Sequence, residues 1–443
     1  MDHPAPARPA SRAALLVPVL CWLALIADGY DLFSYGATVP GLLAEPSWGV
    51  TPGSAGAVAS LALVGVLCGS LVAGTLTDLL GRRRLFVTSI AVFSLAMLAC
   101  ALAPSFGTFA VCRFVAGLGI GGLLPTAVAL TSEFAAPGRR SRILGAVLTG
   151  PPLGGLLASG VAVATVADGG FRWVYGLGVL PLLLVPVALW LLPESPAFLR
   201  ARGRTEEADR IAARFGLPAP AAVGTVGRHS PVGALFAGGR GPVTVGIWLV
   251  NVCSLLTVFG VSTWLPQIMR TAGYGVSSAI GFLLLYSAGA VVGTLIAATL
   301  AERIGAKAMV LTGFAAAAAA LLAIATTPPT GLAMALVALA GFGGLGTQNM
   351  LNDHVSGYYP AAARATGLGW ALGIGRLGAI AGPTYGAAFV GAGSAVAAGC
   401  LAFAGPALLG ALVMAPLPRR DRATTPGSAP QATPTPAQLE GAA

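Results

Sequence analysis

The chain has 443 residues, of which 56% are hydrophobic and only 9% charged, and a mean hydropathy of +0.84 excludes a water-soluble surface. The formal net charge of +10 is dispersed over gaps between apolar runs, so it points to anionic lipid headgroups and gives no reason to invoke nucleic acid. The lipid bilayer is the expected solvent.

Twelve apolar segments of about 20 residues follow one another, with cores near 14–38, 53–77, 85–103, 107–131, 142–166, 173–192, 242–265, 277–300, 308–326, 331–351, 366–390 and 394–415. At about 1.5 Å per helical residue each crosses a hydrocarbon core of roughly 30 Å, so the expected fold class is an all-α membrane protein. Positive charge recurs in alternate gaps: Arg82, Arg83 and Arg84, then Arg139, Arg140 and Arg142, a basic central loop, Arg303 and Lys307, Arg364, and finally Arg419, Arg420 and Arg422. The remaining gaps hold only Arg172 and Arg270. This bias places both termini in the cytoplasm of a multi-pass protein of the inner (plasma) membrane. The longest polar stretch, Pro193 to Arg240, divides six segments from six. The expected domains are a cytoplasmic N-terminus (1–13), a six-helix bundle (14–192), a central loop (193–240), a second bundle (241–418) and a disordered tail (419–443).

Segment one carries Asp28-Gly29-Tyr30-Asp31. Two carboxylates three residues apart share a helix face, and at that depth they persist only when protonated, paired or hydrated. They are the expected proton-coupling pair. The length of the segment and its aspartates argue against a cleaved signal peptide. Segment four contains Arg113-x-x-x-Gly117-x-Gly119-x-Gly121, in which the glycines permit close helix approach and Arg113 acts on the proton site. Glu133 lies near Arg139 and Arg140 at the inner end of this segment. Residues 203–215 of the central loop read as a short amphipathic helix, with Ala208, Ile211, Ala212 and Phe215 on one side.

Segment ten includes Gly341-x-Gly343-x-x-Gly346, formally a dinucleotide fingerprint, but inside an apolar helix it reads as packing. It ends in Asp353 and His354, read as a solvated interfacial pair. In segment eleven Arg376 lies about 12 residues from the inner edge, hence about 18 Å deep. A lone guanidinium there is unfavourable, and its planar fork suits a carboxylate. Arg376 is therefore the expected anchor of an anionic substrate, resting on Asp28 or Asp31 when the site is empty. The six cysteines show no metal-ligand spacing and read as packing residues; no metal or cofactor is expected.

An internal repeat relates the two halves. Gly74 to Arg84 reads GTLTDLLGRRR and Ala298 to Lys307 reads ATLAERIGAK, aligning Asp78 with Glu302, Gly81 with Gly305 and Arg83 with Lys307. Parallel repeats of this kind are a known transporter plan, with the site at their interface. At this point the chain resembles the major facilitator superfamily over about residues 14 to 418. Gly74-x-x-x-Asp78-x-x-Gly81-Arg82-Arg83 matches the signature loop between helices two and three, with Leu79 in place of the usual basic residue. The resemblance implies two six-helix bundles and an inner gate closing one against the other, formed here by Gly74, Asp78, Gly81, Arg82, Arg83 and Glu133 with Glu302 and Arg303 of the repeat.

The D-G-Y-D stretch resembles that of the aromatic acid:proton symporters, as do Thr263-Trp264-Leu265-Pro266, Pro193-Glu194-Ser195-Pro196 and Gly373 to Ile380 with Gly382-Pro383. It implies a secondary carrier, not an enzyme, that imports a small aromatic carboxylate of the benzoate or hydroxybenzoate type with protons by alternating access, and works as a monomer. On that reading Tyr30, Tyr35, Trp264, Tyr286, Trp370 and Tyr385 are candidates to stack on the ring, with Tyr286 and Trp370 favoured over Trp264 by depth. Asn251, Gln348 and Asn349 are available to ring hydroxyls. The alternative is a drug/proton antiporter, suggested by Gly150-Pro151-Pro152-Leu153-Gly154-Gly155, which resembles the antiporter motif of helix five.

Overall fold

A computed structural model describes residues 12–135, 139–168, 170–217, 232–359, 363–390 and 396–418. The tail expected to be disordered, most of the N-terminus and residues 218–231 of the central loop lie outside the described residues.

The first half runs α1 (Arg12–Ala44), α2 (Pro52–Leu80), α3 (Arg82–Ala101), α4 (Phe106–Phe134), α5 (Arg140–Val147), α6 (Gly150–Thr165), α7 (Phe171–Leu177) and α8 (Leu184–Leu191). Short helices α9 (Pro196–Ala201), α10 (Thr205–Phe215) and α11 (Gly233–Phe236) follow. The second half runs α12 (Gly241–Thr271), α13 (Val276–Ile304), α14 (Ala306–Ile324), α15 (Thr330–Tyr358), α16 (Arg364–Val390) and α17 (Val396–Met414). Eleven helical stretches among the described residues are long and apolar enough to cross a membrane; the remaining expected segment is the glycine-rich α16, 27 residues long. We call the side where α1 begins and α17 ends the termini face, and the opposite side the far face.

Two expected segments are interrupted. The fifth breaks between α5 and α6 at Leu148 and Thr149, just before Pro151 and Pro152, and the sixth contains a 3-10 turn at Leu180–Leu183. Proline, which lacks a donor and clashes with the preceding turn, accounts for the first break and stands at Pro181 in the second. The amphipathic helix forms as α10, with Ala208 and Phe215 buried and the Phe215 ring edge-on to Phe134 of α4.

Small residues set how closely helices approach. A methyl at Gly117 or Gly121 would strike the Ala62 or Val66 carbonyl of α2, and one at Gly119 would meet Phe93 and Ser89 of α3. Gly341, Gly343 and Gly346 likewise let α15 meet Tyr286 and Gly293 of α13 and Gly313 of α14. Both glycine runs are helix-packing faces.

The halves are joined at the far face. Gly36 of α1 packs against the Ser262 carbonyl of α12. Ser60 of α2 donates to the Ile380 carbonyl of α16 at 2.6 Å and lies 2.6 Å from the Thr384 hydroxyl. The hydrogen bonds described at the termini face each close within one half. Arg82 pairs with Glu133, the Ser195 hydroxyl donates to Glu133 at 2.6 Å, and the Arg83 and Ser195 amides donate to Glu194 at 3.1 and 2.9 Å. Lys307 donates to the Ala415 and Leu417 carbonyls beyond α17. The described bonds therefore join the halves at the far side and hold Arg82, Arg83 and Glu133 to partners of the first half.

Candidate functional site

Asp31 and Arg113 form an ion pair buried between α1 and α4, with side-chain exposures of 2% and 3%. The guanidinium also faces the Asp31 carbonyl at 3.4 Å and the Met97 sulfur at 3.5 Å. Its carbon stands 5.7 Å from the ring centroids of both Tyr35 and Tyr175. The Tyr35 hydroxyl donates to the Ala55 carbonyl at 2.6 Å, and the Tyr175 hydroxyl lies 2.6 Å from that of Thr38. Each member is thus oriented by a partner on another helix. Such a charge pair in a low-dielectric interior holds only with this degree of satisfaction, and removing one partner alone strands the other.

A cavity of about 20 Å³, lined by Asp31, Tyr35 and Arg113 with Val66 of α2 and Phe259 and Thr263 of α12, adjoins the pair. It has room for about one water and lies at the junction of the two halves.

Asp28 is placed differently. It is 3% exposed, and its Oδ1 has no hydrogen-bond partner among the described residues. The cation acting on it electrostatically is Arg376 of α16, in the other half. Among the described residues no ion pair joins them within contact distance. The two aspartates of the D-G-Y-D stretch therefore answer to different arginines, one within a half and one across the junction. Sequence left Arg376 to rest on either aspartate; among the described residues it makes an ion pair with neither.

Other expected ring partners are spread out. Trp370 is 42% exposed and stacks on Trp248 at 5.7 Å; six residues before Arg376, it points about 120° away around the helix. Depth along the helix alone does not give this rotational position. Tyr286 is buried against Gly341 and Gly344, a packing position between α13 and α15. Tyr30 donates to the Val174 carbonyl at 2.7 Å, tying α1 to α7. Asn349 reaches the Thr294 hydroxyl at 3.5 Å. No described hydrogen bond joins any of these to Arg376. His354, expected to be solvated, is fully buried, whereas its neighbour Asp353 is exposed: one step along a helix turns a side chain by about 100°.

Beside Gly375 runs an amide chain, of which sequence singled out Asn251 and Gln348 as sources of hydroxyl contacts. Gln348 of α15 donates to Asn251 of α12 and to Asn352, both at 3.1 Å. A methyl on Gly375 would lie 3.1 Å from the Asn251 Cβ. Tyr175 and Thr38 were missed; an isolated polar residue in an apolar segment was their only signal.

At the gate loop Gly81 has φ +92° and ψ 162°, a region open almost only to glycine, and Gly305 repeats it at φ +87° and ψ 151°. Gly74 has open space around it, and Arg303 is exposed. The side chains of Asp78 and Glu302 lie outside what the structure describes.

The Pro-Pro stretch suggestive of an antiporter is explained by packing. Gly150 meets Leu25, Gly154 meets the Ile26 carbonyl, and Pro151 meets Gly29, so α6 lies directly on the aspartate-bearing part of α1.

The model of the Major Facilitator Superfamily matches residues 21–383 and 247–440. The chain belongs to that superfamily. Major Facilitator Superfamily proteins are transporters, not enzymes, and this one is a multi-pass membrane transporter. It is 32% identical over 413 residues to a gentisate transporter of Corynebacterium glutamicum, covering 92% of this chain and 88% of the relative. It is 32% identical over 401 residues to a gallate transporter of Pseudomonas putida, covering 87% and 88%. Against a benzoate transport protein of Acinetobacter baylyi it is 31% identical over 382 residues, covering 83% and 81%. Among solved structures, a D-xylose-proton symporter superposes with a TM-score of 0.73 at 18% identity, over 92% of this chain and 98% of that one. That likeness shows the shared superfamily fold.

Proposed function

We propose that this transporter imports a small aromatic carboxylate, of the benzoate or hydroxybenzoate type, together with protons. The observation that carries the reading is the placement of Asp28: a buried carboxyl with an unpartnered oxygen, facing Arg376 across the junction of the halves. Relatives named for gentisate, gallate and benzoate support the choice of substrate.

Arg376 offers two parallel donors to the substrate carboxylate. Protonation of Asp28 removes its claim on that guanidinium, so proton and anion take turns satisfying the same buried charges. Asp31 and Arg113, held by the tyrosines, form the fixed half of the site, and the cavity beside them supplies a water-sized step for the proton. Rocking of the halves then exposes the site to the other side. An inside-negative potential opposes entry of a bare anion by about 2.3 kcal/mol per 100 mV, which accompanying protons offset. The protein works in the plasma membrane as a single chain with both termini cytoplasmic.

The test is uptake of labelled benzoate, 4-hydroxybenzoate and gentisate into energised cells, with and without an uncoupler. Uncoupler-sensitive accumulation that is lost in Asp28→Asn and Arg376→Ala is expected. Efflux of a lipophilic dye with no uptake of any acid would favour the antiporter reading instead.

A further inference from the structure

On the outer flank of the first half, away from Arg376, α2, α3, α8, α9 and α10 enclose a groove of about 900 Å³. Its lining holds four arginines, Arg83, Arg84, Arg202 and Arg204, against two carboxylates, Glu194 and Glu207. Both carboxylates are engaged: Glu194 accepts from two amides, and Glu207 pairs with Arg204. Arg83 donates to the Leu189 carbonyl, but its Nε is buried without a partner among the described residues. Arg202 donates to the Leu79 carbonyl at 2.9 Å and lies over the Phe198 ring. Arg84 is exposed and has no ion pair among the described residues. The groove therefore carries surplus positive charge.

Its other wall is apolar. Leu79 is 59% and Leu189 50% exposed, and beyond them Val92 and Leu95 of α3 and Leu183 and Val187 near α8 continue outward-facing toward the middle of the spans. Trp190, 89% exposed beside Leu189, is the kind of amphipathic ring that settles at headgroup level. A basic pocket at headgroup depth opening onto a greasy track matches one chemistry: a phosphodiester with acyl chains. A soluble anion would use the arginines but gain nothing from the track.

We propose that this groove binds the headgroup of an anionic phospholipid of the bilayer, with the phosphate on Arg84, Arg83 and Arg204 and an acyl chain along Leu79, Leu189 and Val92. Basic pockets between helices near the interface hold anionic headgroups in this way. The groove lies apart from Asp28, Asp31, Arg113 and Arg376 and shares Arg83 with the expected gate, and its occupancy braces α9 and α10 against α3.

The experiment uses the full chain in nanodiscs of equal dioleoylphosphatidylglycerol and dioleoylphosphatidylcholine, released into native mass spectrometry. Wild type is expected to retain phosphatidylglycerol selectively. Arg84→Gln should lower that retention about fivefold, and Arg84→Gln with Arg204→Gln further, since each arginine near a headgroup contributes on the order of one such factor. Arg270→Gln, on the far face, should leave it unchanged. In a parallel thermal unfolding series in detergent, phosphatidylglycerol should raise the midpoint of the wild type more than phosphatidylcholine does, and sn-glycerol 3-phosphate should not. Should the double variant fail to fold, exposed Arg84→Gln alone decides. Equal retention of both lipids, retention unaltered in Arg84→Gln, or full stabilisation by the soluble phosphate would each overturn the proposal.

Discussion

Gly81 and Gly305 occupy the same place in the two halves and hold the same positive-φ backbone, +92° and +87°. In each case a cation just beyond the glycine reaches carbonyls near the end of the last spanning segment of that half: Arg83 to Leu189 in the last turn of α8, Lys307 to Ala415 and Leu417 just beyond α17. The two turns differ in one respect. A methyl on Gly81 would strike the Glu194 carboxylate, whereas one on Gly305 meets open space. Gly305→Ala should therefore cost only the conformational penalty, about 1 kcal/mol or somewhat more, and Gly81→Ala distinctly more. Thermal unfolding of both variants in one detergent tests the order; equal losses would show that Glu194 yields freely.

Breaking the Asp31 and Arg113 pair from one side should be worse than removing both charges. Arg113→Ala is expected to destabilise by about 3–5 kcal/mol. Arg113→Met combined with Asp31→Leu should recover much of that loss while transport stays absent. A double variant no more stable than the single one would mean that the tyrosines, and not the charges, hold this region together.

Asp28 has no such local partner, so Asp28→Asn should fold with a midpoint close to wild type. It is expected to abolish uphill accumulation while leaving exchange of labelled for unlabelled acid across proteoliposomes, because substrate exchange needs no net proton movement. Loss of exchange as well would place Asp28 in substrate binding instead of coupling.

Trp370→Leu should leave the KM for uptake within about twofold, since the ring packs on Trp248 away from Arg376 and its loss removes no contact made to substrate. An increase of tenfold or more in KM would return the ring to the site.

Much of the fold was legible because hydrocarbon imposes length, apolarity and charge placement together. The helices recur where the apolar runs stand, and the repeated glycines mark equivalent turns. Within the site, Asp28, Asp31, Arg113 and Arg376 stood out because ionic groups are rare at that depth. What sequence could not supply was rotation about each helix axis and the choice of partner. His354 was misplaced by rotation, and the pairing of Asp31 with Arg113 depends on how α1 and α4 cross. The breaks in the fifth and sixth segments escaped because apolarity stays high through Pro151 and Pro181.

The seam between Ser60, Ile380 and Thr384 has a consequence for opening. It is made of hydroxyls and main-chain oxygens, backed by glycines at positions 36 and 56. Parting it strands no ion in lipid, and water entering the gap can replace every bond lost. That end can thus unzip and reseal at small net cost, leaving the direction of cycling to whichever ligands occupy the buried charges.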